Sequence, residues 1–261
     1  MIDLKRPIQY ARSRITNTLI AGLLCFTHSG WALSGVPTEQ TFSGVIKREM
    51  GDSTPDWPDP RLPSEGSPNV LIWMIDDAGI GHVGAFGGMV ETPNLDKLAS
   101  NGLRFSNFHA TPVCSASRAS LLTGRNPHRV HVGNHAGAAV GFPAHDAHIP
   151  DSMGTIGNIL KQSGYNTYAL GKWDHLPTED TSPAGPFDYW PSGQGFERFY
   201  GFLAADTDNF NPTLWSDHTP LNLPIDDENY HLSSDMADKA IQWVSERDSL
   251  PAKPPFLMYW A

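Results

Sequence analysis

The chain has 261 residues, 39% of them hydrophobic and 18% charged, with a formal net charge of −10 at pH 7. That length admits one large domain or two small ones, and the composition is ordinary for a globular protein, which excludes global disorder. The acidic balance makes nucleic acid a poor partner, and the two cysteines, Cys25 and Cys114, are too few for a disulfide framework or a multi-thiolate zinc site.

In chain order, residues 1–34 read as a secretory signal. Lys5, Arg6, Arg12 and Arg14 form a basic start, Leu19 to Phe26 a short apolar run, and Ala32-Leu33-Ser34 supplies small residues at the cleavage spacing. The apolar run is too short to cross a bilayer, and the bulky Leu24 before Cys25 argues against a lipid anchor. A secreted or periplasmic protein is expected, with no membrane contact once the signal is removed. Cleavage would take four basic residues and Asp3 from the totals of 18 and 28, leaving 14 against 27, a net charge of −13, and Cys114 as the single thiol. Residues 35–68, rich in Pro, Asp, Ser and Gly, predict an extended lead-in.

The ordered domain is expected over 69–261. Val70 to Ile75 is a continuous apolar run that stops at Asp76-Asp77 and Gly79, which predicts a strand buried on both faces. Thr92-Pro93-Asn94 begins a helix with Leu95, Leu98 and Ala99 on one side and Gly102 as its stop. The alternation from Leu103 to Ala110 predicts a second strand, and a helix follows from Cys114 through Arg118, Leu121 and Leu122. Thr155 to Gln162 predicts a helix closed by Gly164, and Tyr165 to Leu170 a strand running into Gly171-Lys172-Trp173. Residues 177–230 carry few regular signals. His231 to Asp248 predicts an amphipathic helix with Met236, Ala240, Ile241 and Val244 on its core face and Ser233 or Ser234 as cap. Pro255 to Ala261 is apolar and strand-like. Alternating strands and helices predict an α/β layered fold with a mostly parallel sheet flanked by helices. A terminal strand with no helix after it predicts a C-terminally incomplete domain, inactive and poorly soluble when expressed alone.

Three groups of residues carry chemistry. Cys114 opens the run Cys114-Ser115-Ala116-Ser117-Arg118, followed by Leu121-Leu122-Thr123-Gly124-Arg125. It sits at or just before a helix N-terminus, where free N–H groups and the dipole favour an anion. A buried thiol is the commonest fate of a free Cys, but these neighbours are polar. Asp76-Asp77 lies where an open α/β sheet binds ligands, beyond the carboxyl end of a strand; the pair suits Ca²⁺ or Mg²⁺, or is a turn-forming pair. The stretch from Arg118 to His135 holds Arg118, Arg125, His128, Arg129, His131 and His135 with no acidic residue, either a pocket for an anion or a solvated basic loop.

The Cys114–Arg125 pattern resembles the signature of the type I, formylglycine-dependent sulfatases. Thr92 to Ala99, Gly171-Lys172-Trp173, Gly195-Phe196-Glu197 and Phe199-Tyr200-Gly201-Phe202 with Asn211-Pro212 resemble further segments of that family in the same order, so the resemblance runs from about 69 to 261. It implies an alkaline-phosphatase-like fold and hydrolysis of sulfate esters, arylsulfatase type, on a small sulfated substrate. It also implies that a maturation enzyme oxidises Cys114 to formylglycine, whose hydrated aldehyde is the nucleophile and a metal ligand. Asp76 and Asp77 would hold the divalent cation, Ca²⁺ or Mg²⁺, Arg118 would hold the diol, and Lys172 would bind a sulfate oxygen. The family's His two residues after this Lys is Asp174 here, with His175 one position later; either a bulge brings His175 to the leaving oxygen as general acid, or that role is altered. Asp206 and Asp208 stand where another active-site His or Asn is expected. The rival readings are a phosphate or phosphonate ester hydrolase of the same superfamily and an inactive anion-binding fragment.

Overall fold

The computed structural model describes residues 41–57, 62–222 and 228–261; the expected signal at 1–34 and residues 35–40 and 58–61 of the lead-in lie outside the described residues. Residues 41–57 belong to a unit of their own. Within it Val45 and Thr54 form an antiparallel bridge, and the Asp56 carboxylate accepts hydrogen bonds from the Ser43 amide and hydroxyl.

From residue 62 onward a six-stranded sheet organises the chain, in the order β1 (Val70–Trp73), β6 (Phe256–Trp260), β2 (Asn166–Lys172), β3 (Arg198–Phe202), β4 (Leu214–Ser216), β5 (Thr219–Leu221). β1, β6, β2 and β3 are parallel, and β4 and β5 continue the sheet antiparallel. Period-two alternation decides what covers each face. Ala169, Leu257 and Tyr259 pack with Leu122 of α2 (Cys114–Thr123) and with Ile156 and Leu160 of α3 (Ile156–Gln162). Their neighbours Tyr168, Leu170 and Met258 meet Leu232, Met236, Ala240 and Trp243 of α4 (Leu232–Asp248) on the other face. Each large side chain so buried contributes roughly 1.5–3 kcal/mol, and the result is a helix–sheet–helix sandwich.

Four expectations need correction. β1 is not buried on both faces: Val70 and Ile72 join the core, but Leu71 and Trp73 are 57% and 50% exposed, because β1 is the edge strand and α4 lies over β2 and β3. No strand forms among the described residues 103–110, whose Leu103, Phe105 and Phe108 are exposed; alternation alone cannot make a strand without a partner for its backbone. α4 is capped by His231, whose Nδ1 accepts from the Ser233 amide. Its core face runs through Leu232, Met236, Ala240 and Trp243, leaving Ile241 64% exposed. The stretch 177–230, read as irregular, contains β3, β4 and β5. The helix at Pro93–Ser100 (α1) begins where Pro93 predicts, although none of its residues is buried.

The carboxyl ends of the four parallel strands lie along one edge of the sheet. Asp76 follows β1, Lys172 closes β2, and the first turn of α2 is drawn to the same edge.

Candidate active site

Cys114 is the first residue of α2, after an extended Val113 that offers no side-chain cap, and the first turn holds no acidic residue. Its N–H groups and dipole are therefore available to an anion. The entry is braced by Ser117, whose hydroxyl accepts from the Thr111 amide at 3.0 Å. The next residue, Ser115, is fully buried, and its Oγ accepts from the Ala136 amide at 3.0 Å. That bond pulls a loop 21 residues further along the chain onto the start of the helix, with His135 beside Cys114.

Arg118, one turn on, is completely buried. Its Nη2 donates to Asp76 Oδ1 at 2.9 Å and its Nη1 to the Lys172 carbonyl at 2.8 Å and the Tyr259 hydroxyl at 3.4 Å. One side chain thus ties α2 to the ends of β1, β2 and β6. Lys172 Nζ donates to Asp76 Oδ2 at 2.8 Å and lies 3.5 Å from Asp174 Oδ2. Burial opposes the charge on Asp76, but Lys172 and Arg118 outweigh it and hold the carboxyl below the usual range. Burial likewise opposes the Lys172 ammonium, and Asp76 and Asp174 overcome it and raise its pKa, so the lysine stays a cation.

Gly171 makes this placement possible. It has a φ of +86°, and a Cβ there would meet the Ala261 carbonyl oxygen at 2.0 Å. The kink lets Lys172 N–H bond to that same carbonyl at 2.7 Å while its side chain turns toward Asp76.

Beyond Lys172 the strand turns again at Asp174, with φ +52°. Its side chain is 2% exposed, and Asp174 Oδ2 has no hydrogen-bond partner among the described residues. A carboxylate oxygen of Asp174, the Cys114 sulfur and a ring nitrogen of His135 all lie within 4.8 Å of one another. Burial and the nearby Asp174 carboxylate raise the Cys114 thiol pKa, outweighing Lys172, so the sulfur stays protonated at neutral pH.

His175, expected as general acid, belongs to the core instead. It is 1% exposed, its ring lies 3.9 Å from that of Trp173, and its Nδ1 is 2.6 Å from the Trp173 carbonyl. Desolvation lowers its pKa to about 3, so it is neutral and has no acidic proton to deliver at pH 7. No bulge turns it toward Cys114; the positive φ at Asp174 points Asp174 to the site and His175 inward.

Asp77 is exposed with φ +51° and makes no hydrogen bond or ion pair among the described residues. The basic stretch does not form one pocket. Arg118 and His135 face the site, whereas His131 pairs with Asp146 at 3.0 Å, His128 meets the edge of His145, and Arg125 donates to the Thr123 carbonyl. A cavity of about 660 Å³ opens beside Asp174 and Gly137, lined also by Leu176, Phe202, Asp206 and Trp215. The sequence marked Asp174 only as a departure and His135 only as one basic residue among six. The usable signal was the position of Asp174, two residues past Lys172, where the side chain reaches the site.

Residues 68–261 match the Sulfatase family model. The chain belongs to the sulfatase family. It is 40% identical over 158 residues to steryl-sulfatase of Mus musculus, covering 59% of this chain and 25% of that protein. It is 32% identical over 216 residues to N-acetylgalactosamine-6-sulfatase of Homo sapiens, covering 74% and 38%. The chain spans between 23% and 39% of the length of such curated sulfatases. Among solved structures it resembles Ps i-CgsB, at 26% identity and a TM-score of 0.62 over 74% of this chain and 44% of that one. It also resembles BT4656, solved in complex with its substrate D-glucosamine-2-N,6-O-disulfate, at 27% identity and a TM-score of 0.54 over 74% and 34%. The mostly parallel sheet flanked by helices is the α/β layering that the sequence pattern predicted, and it is consistent with the alkaline-phosphatase-like fold that the family resemblance implied.

Proposed function

We propose that this sulfatase-family chain carries the nucleophile and anion-binding side of a sulfuric ester hydrolase acting on a small sulfated substrate. The observation that supports this most is the convergence of Cys114, at an uncapped helix start, with the Lys172–Asp76–Arg118 network at the carboxyl edge of the sheet.

A thiol held protonated is a weak nucleophile, and the run Cys114-Ser115-Ala116-Ser117-Arg118 supports conversion of Cys114 to formylglycine by a maturation enzyme; formylglycine supplies an oxygen nucleophile in its place. Lys172, kept charged by Asp76, is set to neutralise a sulfate oxygen as negative charge shifts toward the leaving group. Arg118 contributes by fixing Asp76 and the end of β2, since its terminal nitrogens are engaged there. With His175 in the core, His135 is the imidazole at the site and takes the proton-handling role.

Asp76 and Asp77 fit a hard divalent cation, Ca²⁺ or Mg²⁺. Asp77 is exposed and unpaired among the described residues, and the oxygens of Asp76, each accepting one bond from Arg118 or Lys172, keep a further lone pair. Such an ion, when bound, supplies Lewis-acid polarisation. The signal-like N-terminus supports secretion or a periplasmic location. Enzyme purified from its native host is expected to hydrolyse an aryl sulfate far faster than the matching aryl phosphate and to show an aldehyde-bearing tryptic peptide 105–118. Active enzyme with an unmodified cysteine, or a preference for phosphate, would overturn the proposal.

A further inference from the structure

We propose that Cys114, His135 and Asp174 form a binding site for a borderline divalent cation, Zn²⁺, in the form of the chain whose Cys114 keeps its thiol. The three ligand atoms lie within 4.8 Å of one another. Tetrahedral zinc with bonds of about 2.0–2.3 Å sets its donors about 3.3–3.8 Å apart, so small side-chain rotations close the site. Thiolate, imidazole and carboxylate are a mixed set that suits Zn²⁺ and is foreign to Ca²⁺, which takes oxygen ligands. A single thiolate suffices because the other two residues complete a three-ligand set, leaving one position for water.

A second observation points the same way. Asp174 is 2% exposed, yet its Oδ2 accepts no hydrogen bond from the described residues; buried carboxylate oxygens are otherwise partnered. Lys172 Nζ is 3.5 Å from that oxygen, held by Asp76 at 2.8 Å. Lys172 therefore offsets part of the charge of Asp174 without satisfying its lone pairs. The protonated thiol can give the Asp174 carboxylate only a weak S–H contact, and a divalent cation bound between them would displace that proton and be held by thiolate and carboxylate together. The Ser115 to Ala136 bond at 3.0 Å fixes His135 in place before any ion arrives. Conversion of the cysteine would remove the sulfur ligand, so zinc binding and maturation exclude one another. The site adjoins the Asp76 network through Lys172 and shares position 114 with it, but it uses a different donor set and does not rest on sulfate hydrolysis.

The test is a Co²⁺ titration of the full chain with Cys114 confirmed as a thiol by mass spectrometry, in a non-chelating reductant. One equivalent is expected to raise a sulfur-to-cobalt charge-transfer band in the near ultraviolet, which Zn²⁺ bleaches and excess Ca²⁺ leaves unchanged. His135→Gln and Asp174→Asn are each expected to weaken Zn²⁺ binding at least about tenfold, since even outer-shell changes cost 10–100-fold; Cys114→Ser is expected to lose the band. Far-ultraviolet circular dichroism shows that each variant is folded. Should a variant fail to fold, alkylation of wild-type Cys114 by iodoacetamide decides the matter, being slowed by Zn²⁺ and not by Ca²⁺. The absence of a band, unchanged affinity in both folded ligand variants, or alkylation indifferent to zinc would overturn the site. A failed zinc titration leaves the hydrolase proposal standing, and a failed aryl sulfate assay leaves this one standing.

Discussion

The ends of β1 and β2 lie on the same edge of the sheet but are built differently. At the end of β2, Lys172 is 6% exposed and Asp174 2%, both inside a network closed by Arg118 and Tyr259. At the end of β1, Asp76 leans into that network while Asp77 stands in solvent on a left-handed turn. The β2 end is therefore organised before any ligand arrives. The β1 end presents hard oxygen ligands whose geometry an ion can still choose. Asp76 joins the two halves, so changes on either side should be felt through it in different measurements.

The largest effect is expected where the two ends meet, at Cys114. Cys114→Ala removes the precursor of the nucleophile and should lower aryl sulfate turnover on the order of 10⁴- to 10⁶-fold, as loss of a nucleophile does elsewhere. A drop of less than tenfold would detach α2 from the chemistry. On the β2 side, Lys172→Met should lower kcat/KM about 10²- to 10³-fold, the loss of one preorganised charge, with Asp76 still paired to Arg118. An effect confined to KM would reassign Lys172 to ground-state binding.

Arg118→Met sharpens the comparison through stability. Breaking a fully buried pair costs about 3–5 kcal/mol, and here about 2–3 kcal/mol is expected in urea unfolding, because the Asp76 side chain is 37% exposed and keeps Lys172. A loss below about 0.5 kcal/mol would mean that the two strand ends are not joined by Arg118.

The smallest effect is expected at His175. His175→Gln should change activity less than about tenfold and equally for good and poor leaving groups; a selective loss on poor leaving groups would restore it as an acid. Its pH signature has a definite sign. The folded pKa of about 3 lies below the ordinary value of 6.5, so the unfolded chain binds the extra proton. Stability is lost as pH falls from about 6.5 toward 3, by at most about 1.4 kcal/mol per pH unit. In His175→Gln that part of the slope should vanish, and an unchanged slope would place the histidine in solvent.

Much of the β2 side was legible in the sequence. Cys114 at a helix start, Lys172 at a strand end and Asp76 after β1 each follow from local pattern, and the structure sets them side by side. Asp174 and His175 were not legible, because a single positive φ decides which of two adjacent side chains faces the site, and hydrophobic pattern carries no such information. His135 was hidden for another reason: one Ser115 hydroxyl, reaching across 21 residues, selects it from a run of similar basic residues. The strands β3 to β5 were masked by their Pro, Gly and Asp content, and their order comes from pairing with β2. At 103–110 the reverse holds, with a strand-like pattern and no strand beside it among the described residues.

Gly171 has a consequence for how this protein can vary. The carbonyl oxygen of Ala261 occupies the space that any side chain would need, and a Cβ on Gly201 would in turn meet the Gly171 carbonyl oxygen at 2.0 Å. Two glycines on neighbouring strands therefore act as a mechanical stop. The ammonium of Lys172 can be exchanged by a single substitution, but its position cannot be adjusted by small steps, since every larger residue at 171 moves the strand itself. Variation at this edge of the sheet is therefore confined to positions around the lysine, which stays a fixed point.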